Sequence, residues 1–513
     1  MTFATINIPP GIERNATPYD TPERWWDMSL VRFVSGSLRP VGGWTRATST
    51  TLDTRPRGMF VYRDNSGGRR VLVGTDGKFY ADISGTFTDL TPTVSPAFAG
   101  LGSIGVNGGY GTFDYGEEDY GVGRSLPSPI FSPSAFWTFT NWGEDVIFTN
   151  NADGRLYYYD TSTPSTRPTQ ITGATVPTTN TGVIVTNERH VMCVGVGGNI
   201  RRVGWSSRES TTDWDFASTT NTAGFVDLDA RTPLTRPIKV REGILIFSQS
   251  EVYLARYVGL PFIYGIDRVA DTSPLTPMSI ATYNGKAMWL AKDGFWKYDG
   301  GYISPVQCPI FNDIKNTMDA TYGPFRSHAV HNGAFPEIWF FFPSTTTLPP
   351  GSIGRGECDR YVIYNYIEDW WAWGSLGRSA AAPAEAYKSP YMGGIDGHVY
   401  EHEVGWTNAG TSRVNSVWAE TGVLPFGNGD KGVAINQALL SSGYGATSLN
   451  VRFYTKQTPE GTETTWGPYT PRANGYTDCR VNGRDVRIRL TATQDSEWSV
   501  GRFRINIQPG DGR

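Results

Sequence analysis

DGFWKYDGG, residues 293–301, holds an aromatic run between two Asp-Gly pairs. Asp-Gly supplies the positive φ of a tight hairpin turn, and the alternation through Phe295, Trp296, Lys297 and Tyr298 has the two-residue period of a strand. Directly upstream, GKAMWLAK (285–292) reads as a second strand, so the pair predicts a β-hairpin. The unit recurs at DGKFYAD (76–82), DGRLYYYD (153–160), SEVYLARY (250–257) and DGHVYEHE (396–403). RRVLVGT, EDVIFTN and GILIFSQ stand before the first three of these.

Copies are separated by 77 positions from Phe79 to Leu156, 96 from there to Val252, 43 to Phe295 and 104 to Val399. The gaps of 96 and 104 are near double the 43, and each holds a variant copy. One is GVIVTNERHVMCVGVGGNIRRVGWSS (182–207), the other EIWFFFP with RYVIYNYIEDWWAW (337–343, 360–373). A repeat of roughly 40–50 residues with a two-residue period fits a propeller blade, where a helical solenoid would show a period of 3.6. Lone hairpins cannot bury both faces, whereas twisted sheets set in a ring cover one another. The expected fold is all-β: a β-propeller of six or seven blades over 56–405, an N-terminal arm and hairpin over 1–55, and a C-terminal β domain over 406–513.

Composition agrees. Gly (60) and Pro (33) are abundant among 513 residues and aromatics reach 13%, a mix suited to strands joined by tight turns. The net charge of −4 gives no global positive excess to hold nucleic acid through counterion release. No basic leader, signal-like apolar run or stretch of eighteen apolar residues is present, so a soluble product without a membrane span is expected. Cys193, Cys308, Cys358 and Cys479 lie far apart without a C-x-x-C pair, a pattern of reduced thiols.

Three segments depart from the repeat. GLGSIGVNGGYGTFDYGEEDYGVGRSLPSP (100–129) is a Gly/Tyr-rich loop inserted after the first hairpin, too rich in glycine to pack a core of its own. The N-terminal segment forms a hairpin around Ser35-Gly36, and its Trp25 and Trp26 need cover from the chain's own propeller, from ring closure by a strand such as LVRFV, or from a neighbouring subunit. Beyond residue 406, SLNVRFYTKQ, DVRIRLTATQ and GRFRINIQPG alternate Arg with aliphatics, the pattern of a sheet with one buried and one wet face.

Motifs for chemistry are weak. His398 and His402 share one strand face but lack a third ligand, which favours a surface or interface role over metal. GNGDKG (427–432) matches a dinucleotide fingerprint in a region without a βαβ unit. Asp213, Asp215, Glu368 and Asp369 are the acids a propeller hydrolase would use, though turn formation explains Glu368 and Asp369 before Trp370. No catalytic, cofactor-binding or metal site is expected, and no enzyme.

The chain resembles the propeller-type tail nozzle or hub proteins of tailed bacteriophages, called DNA-stabilization proteins in some phages. RWWDMSLVRFVSGSLRPVGGW (24–44), YGTFDYGEEDYGVGR (110–124), GWSSRESTTDWDF (204–216), ILIFSQSEVYLARYVGLPF (244–262), MWLAKDGFWKYDGG (288–301) and YVIYNYIEDWWAWG (361–374) carry the likeness in this order. The resemblance implies a non-enzymatic virion protein. It would form a homohexameric ring below the portal and adaptor, retain the packaged genome, and pass double-stranded DNA without reading it. Implied partners are further copies of the chain, the adaptor or connector, and tail fibre or needle proteins. Trp25, Trp26 and Arg32 of the arm and Tyr110, Tyr115 and Tyr120 of the loop are then the residues assigned to neighbouring chains. A receptor- or glycan-binding tip protein is the alternative.

Overall fold

The computed structural model describes residues 3–15, 23–101, 134–345, 356–382, 387–426, 432–445, 448–458 and 460–509. Tyr110, Tyr115 and Tyr120 of the Gly/Tyr-rich loop, and most of GNGDKG, lie outside them. The described residues form an all-β fold of several four-stranded antiparallel sheets that resemble propeller blades, with two further sheets of six strands.

Seven four-stranded sheets follow one another along the chain. Sheet 1 begins with Gly58–Arg63, sheet 2 with Trp137–Trp142, sheet 3 with Gly182–Val185 and sheet 4 with Leu234–Val240. Sheets 5, 6 and 7 begin with Ile280–Tyr283, His328–Asn332 and Arg378–Ala382. In six of the seven the four strands are consecutive. The Asp-Gly hairpins of the sequence are the second and third strands, as in Lys286–Ala291 with Gly294–Tyr298. Gly154 and Gly397 adopt φ of +74° and +79° at two of these turns, a backbone only glycine takes without strain.

First strands lie side by side in order, and that of sheet 7 lies against that of sheet 1. Val183 and Val185 of sheet 3 donate their amides to the Thr138 and Thr140 hydroxyls of sheet 2, both at 3.0 Å. Between sheets 1 and 2, the Trp137 indole covers Gly74 so closely that a Cβ there would sit 2.2 Å from the ring. Aromatic stacking continues through Phe79 and Phe148, whose centroids are 4.6 Å apart.

Sheet 7 is completed from the other end of the chain. Its fourth strand is Trp44–Arg46, paired antiparallel to Val399–His402 with Trp44 opposite His402. LVRFV does not fill this place: Val31–Val34 and Ser37–Pro40 form the hairpin around Ser35-Gly36, which joins a six-stranded sheet through Leu38 opposite Val500. In that sheet Phe3–Ile6 also pairs with Ser499–Pro509. The second six-stranded sheet takes Trp25–Ser29 against Trp418–Thr421, beside Asp485–Ala492 and Leu449–Lys456. Leu449–Lys456 and Asp485–Ala492 show strict alternation of buried and half-buried residues, the one-face pattern read from their sequences. Residues before 46 are thus distributed between the C-terminal sheets and sheet 7. One apolar core joins Trp25, Phe33, Phe453 and Ile505 to Trp339, Tyr361 and Trp371 of sheet 6.

Candidate functional site: the axial cavity and two buried ion clusters

The seven first strands surround a cavity. Its wider part, about 520 Å³, takes at least one residue from the start of each sheet: Arg57, Ser134, Thr181, Leu234, Thr276, His328 and Ser379. Asn151, Gln249 and Lys292, from turns between second and third strands, stand at the same end. A narrower part of about 260 Å³ continues along the middle of the first strands, past Phe60, Phe139, Ile184, Lys239, Thr282 and His331. All seven strands therefore run the same way, away from the wide mouth.

A buried ion cluster forms one wall of the mouth. Arg57 donates to both oxygens of Glu357 at 2.9 and 2.8 Å and to Asp76 at 2.8 Å, while Arg326 donates to Glu357 at 3.1 Å. The bidentate fork ties the strand entry of sheet 1 to the loop between the second and third strands of sheet 6. Burial alone would raise the Glu357 carboxyl, but Arg57, with Arg326 and Arg55 beyond it, brings it down to about 2. A carboxylate held below its ordinary value stabilises the fold above about pH 4.5 and loses that contribution as pH falls toward 2. Glu357→Gln is expected to remove roughly 3 kcal/mol of this acid-side dependence, so thermal midpoints of variant and parent, measured from pH 6 to pH 3, should converge as pH falls.

The second cluster lies between sheets 6 and 7 and the N-terminal hairpin. Arg32, 1% exposed, pairs with Glu337 at 3.1 Å and through both terminal nitrogens with Glu403, and its guanidinium lies 3.8 Å from the Phe335 ring centroid. Glu403 also accepts from the Gly42 amide at 3.1 Å and from Asn332 at 2.9 Å, and Glu337 from the Trp339 indole at 3.0 Å. Burial pushes the Glu337 carboxyl up to about 7 against the pull of Arg32. Close by, Trp44 stacks on His402, with the Arg378 and Arg413 guanidinium groups each 5.0 Å from its ring. Burial and these arginines drive the His402 imidazole well below its ordinary value, and it accepts a hydrogen bond from Arg378 at 3.0 Å.

Residues singled out in the sequence are placed as follows. Trp25 is buried against Phe33 and Phe503, and Arg32 is enclosed as described, so neither offers a side-chain surface to a neighbouring chain. A Trp-rich N-terminus needs cover, and the chain's own C-terminal strands provide it. Trp26, half-buried, lies under the Arg14 guanidinium at 4.9 Å. His402 is buried within the chain, whereas the sequence reading favours a surface or interface role; His398 bonds to Thr51, and its ring lies 3.3 Å from the Asp396 carboxylate. Asp213 accepts from Asn221, Glu368 from the Trp370 indole and Asp369 from Tyr364, local bonds that shape turns, and Glu368 also accepts from the Ser35 amide, which ties the N-terminal hairpin to sheet 6. No cluster of three metal-ligating side chains occurs among the described residues. Neither the cavity nor the ion clusters were foreseen, because their members are scattered over three hundred positions with no local spacing to betray them.

No protein-family model matches the chain, and no curated protein matches it in sequence. Among solved structures, BamB from Moraxella catarrhalis is similar with 11% identity and a TM-score of 0.38, over 73% of this chain and 93% of that one. The extracellular domain of the putative one-component system BT4673 from B. thetaiotaomicron is similar with 10% identity and a TM-score of 0.30, over 85% of this chain and 45% of that one. At these TM-scores neither likeness bears on the role of the chain.

Proposed function

We propose that this chain is a non-catalytic interaction protein: a closed seven-bladed propeller, latched by Trp44–Arg46, with a β-sandwich on its flank, acting as a rigid wall that holds partners. The single observation that carries this reading is that buried ion pairs and aromatics of the described residues join sheet to sheet, as in Arg57–Glu357 and Arg32–Glu337–Glu403. Following the sequence resemblance, the partners are further copies in a tail ring of a tailed phage, with adaptor above and fibre or needle proteins below. Parts of about 520 and 260 Å³ leave no room for duplex DNA along the propeller's own axis, so a genome would pass through the centre of the ring. On this reading the propeller takes the described strands between Trp44 and His402, and the sandwich takes the described strands of residues 3–40 and 418–509.

Imaging of the purified protein by negative stain, with its mass in solution, tests this. Annular oligomers with an open centre are expected; a monomer at every concentration, in the presence and absence of adaptor, would overturn it.

A second reading, a tip protein that binds a receptor or glycan, is favoured by the wide mouth. Hydroxyls and amides of Ser134, Asn151, Thr181 and Gln249 line it beside Lys292 and the Phe136 ring, the mixture of polar donors and a flat apolar face that saccharides use. Saturable binding of host envelope glycans, weakened by Lys292→Ala, would support this reading over the ring.

A further inference from the structure

Large apolar side chains left exposed are concentrated at one end of the sheet assembly. Because all first strands leave the wide mouth, turns between third and fourth strands lie at the far end of every sheet. Leu260 and Phe262 occupy that turn in sheet 4, Tyr302 in sheet 5 and Ile367 in sheet 6, exposed by 78%, 76%, 60% and 72%. Tyr257 and Val258 approach the sheet 4 turn, and Phe225 begins the fourth strand of sheet 3. Only Ile200 and Phe325, of the exposed large hydrophobics among the described residues, lie near the mouth.

Sheet 4 raises its turn above the others. Its second strand stops pairing at Ile244 opposite Ala255, yet the third and fourth strands continue together to Gly259 opposite Ile263. The overshooting ribbon is braced on sheet 3: the Tyr264 hydroxyl donates to Thr186 at 2.8 Å, its ring stands edge-on to Trp205 at 5.1 Å, and Tyr257 packs on it at 5.8 Å. From Tyr257 to Ile266 no side chain is charged; Arg256 and Asp267 pair at the ribbon's base, 3.8 Å apart. Arg241, Glu242, Asp299, Glu368 and Asp369 sit in turns beside the apolar tips.

We infer that this end is a membrane-contacting rim, on which the Tyr257–Phe262 tip enters the headgroup and upper acyl region of a lipid bilayer while Tyr302 and Ile367 rest at the interface. Size and shape select this occupant. The four exposed tip side chains of sheet 4 offer about 500 Å², against roughly 800 Å² per partner in a stable protein interface. The remaining apolar groups stand on separate turns with charges between them, so they make no continuous patch for a second copy. A bilayer needs no shape match: each knob buries independently in a fluid boundary, and Tyr with Phe and Leu is the composition that settles there. The inference does not depend on the ring reading.

Flotation with vesicles of phosphatidylethanolamine and phosphatidylglycerol, and with vesicles of phosphatidylcholine alone, tests it. The full chain is expected to float with vesicles, and Leu260→Ser with Phe262→Ser to reduce the bound fraction about tenfold or more without changing the thermal midpoint. Cys193, Cys358 and Cys479 are buried and Cys308 is half-buried, so in a Cys308→Ser background Leu260→Cys accepts an environment-sensitive fluorophore, whose emission should shift to the blue with vesicles. No flotation with either composition, or flotation indifferent to the double substitution, overturns the inference. So does loss of self-association in the double variant without any vesicle binding, which would make the rim a contact between copies. A monomer that floats and loses flotation on substitution would sustain the rim while the ring fails.

Discussion

A chain starting at residue 47 is expected not to reach a soluble, cooperatively melting state. Removing residues 1–46 deletes the fourth strand of sheet 7 and four strands of the two C-terminal sheets. Trp25, Met28, Val31, Phe33, Leu38 and Trp44, all buried, vanish from the core, at about 2–5 kcal/mol each when their partners are left facing a void. That sum exceeds the roughly 5–15 kcal/mol by which a domain is stable. Starting instead at residue 42 retains Trp44–Arg46, so sheet 7 keeps its fourth strand and only the C-terminal sheets are stripped. Limited proteolysis separates the cases: the longer product should protect a fragment across residues 44–402, the shorter should protect none. Unchanged melting of the chain lacking 1–46 would show that these strands are ornamental.

Arg32→Ala is expected to cost about 3–5 kcal/mol, the penalty for leaving buried carboxylates without their cation. The loss should depend on pH. Burial already raises Glu337 to about 7 in the intact protein, so its folded form holds a proton that the unfolded chain, near 4.5, has released. Its contribution is therefore complete below pH 4.5 and disappears as pH rises through 7. Without Arg32 the Glu337 carboxyl moves further up and can stay neutral at mild acidity. The variant should thus lie nearer its parent at pH 5 than at pH 8. Adding Glu337→Gln to Arg32→Ala should recover part of the loss, since Glu403 keeps the Gly42 amide and Asn332 as donors. Denaturant midpoints of the three proteins at both pH values decide the matter; an Arg32→Ala loss equal at pH 5 and pH 8 would refute the account.

Legibility in the sequence followed the range over which the physics acts. Second and third strands announce themselves, because a tight turn and two alternating runs fit within twenty residues, as in 285–301. Fourth strands do not: Thr169–Gln170 is two polar residues and Thr86–Asp89 holds one buried side chain, so neither has a pattern to read. The partners of Trp25–Ser29 and Trp44–Arg46 lie near residue 420 and residue 400, and register over such distances has no local signature. Arg32 is assigned to a neighbouring chain in the sequence reading for the same reason: Glu337 and Glu403, which enclose it, lie too far along the chain to be paired with it by any local pattern. Residues 258–262 enter the sequence reading only as the end of ILIFSQSEVYLARYVGLPF, a segment that carries the resemblance, and their protrusion has no signature there, because exposure is a property of neighbours that the segment lacks.

Pairing Trp44 with His402 also sets a timetable. Ribosomes add about 5–20 residues per second, so some twenty to seventy seconds separate the birth of the first partner from that of the last. Throughout that wait the nascent polypeptide carries unburied tryptophans and a dangling edge strand, an invitation to chaperones and to swapping between adjacent chains on one message. Slow emergence and late clasping thus belong to the same topological choice.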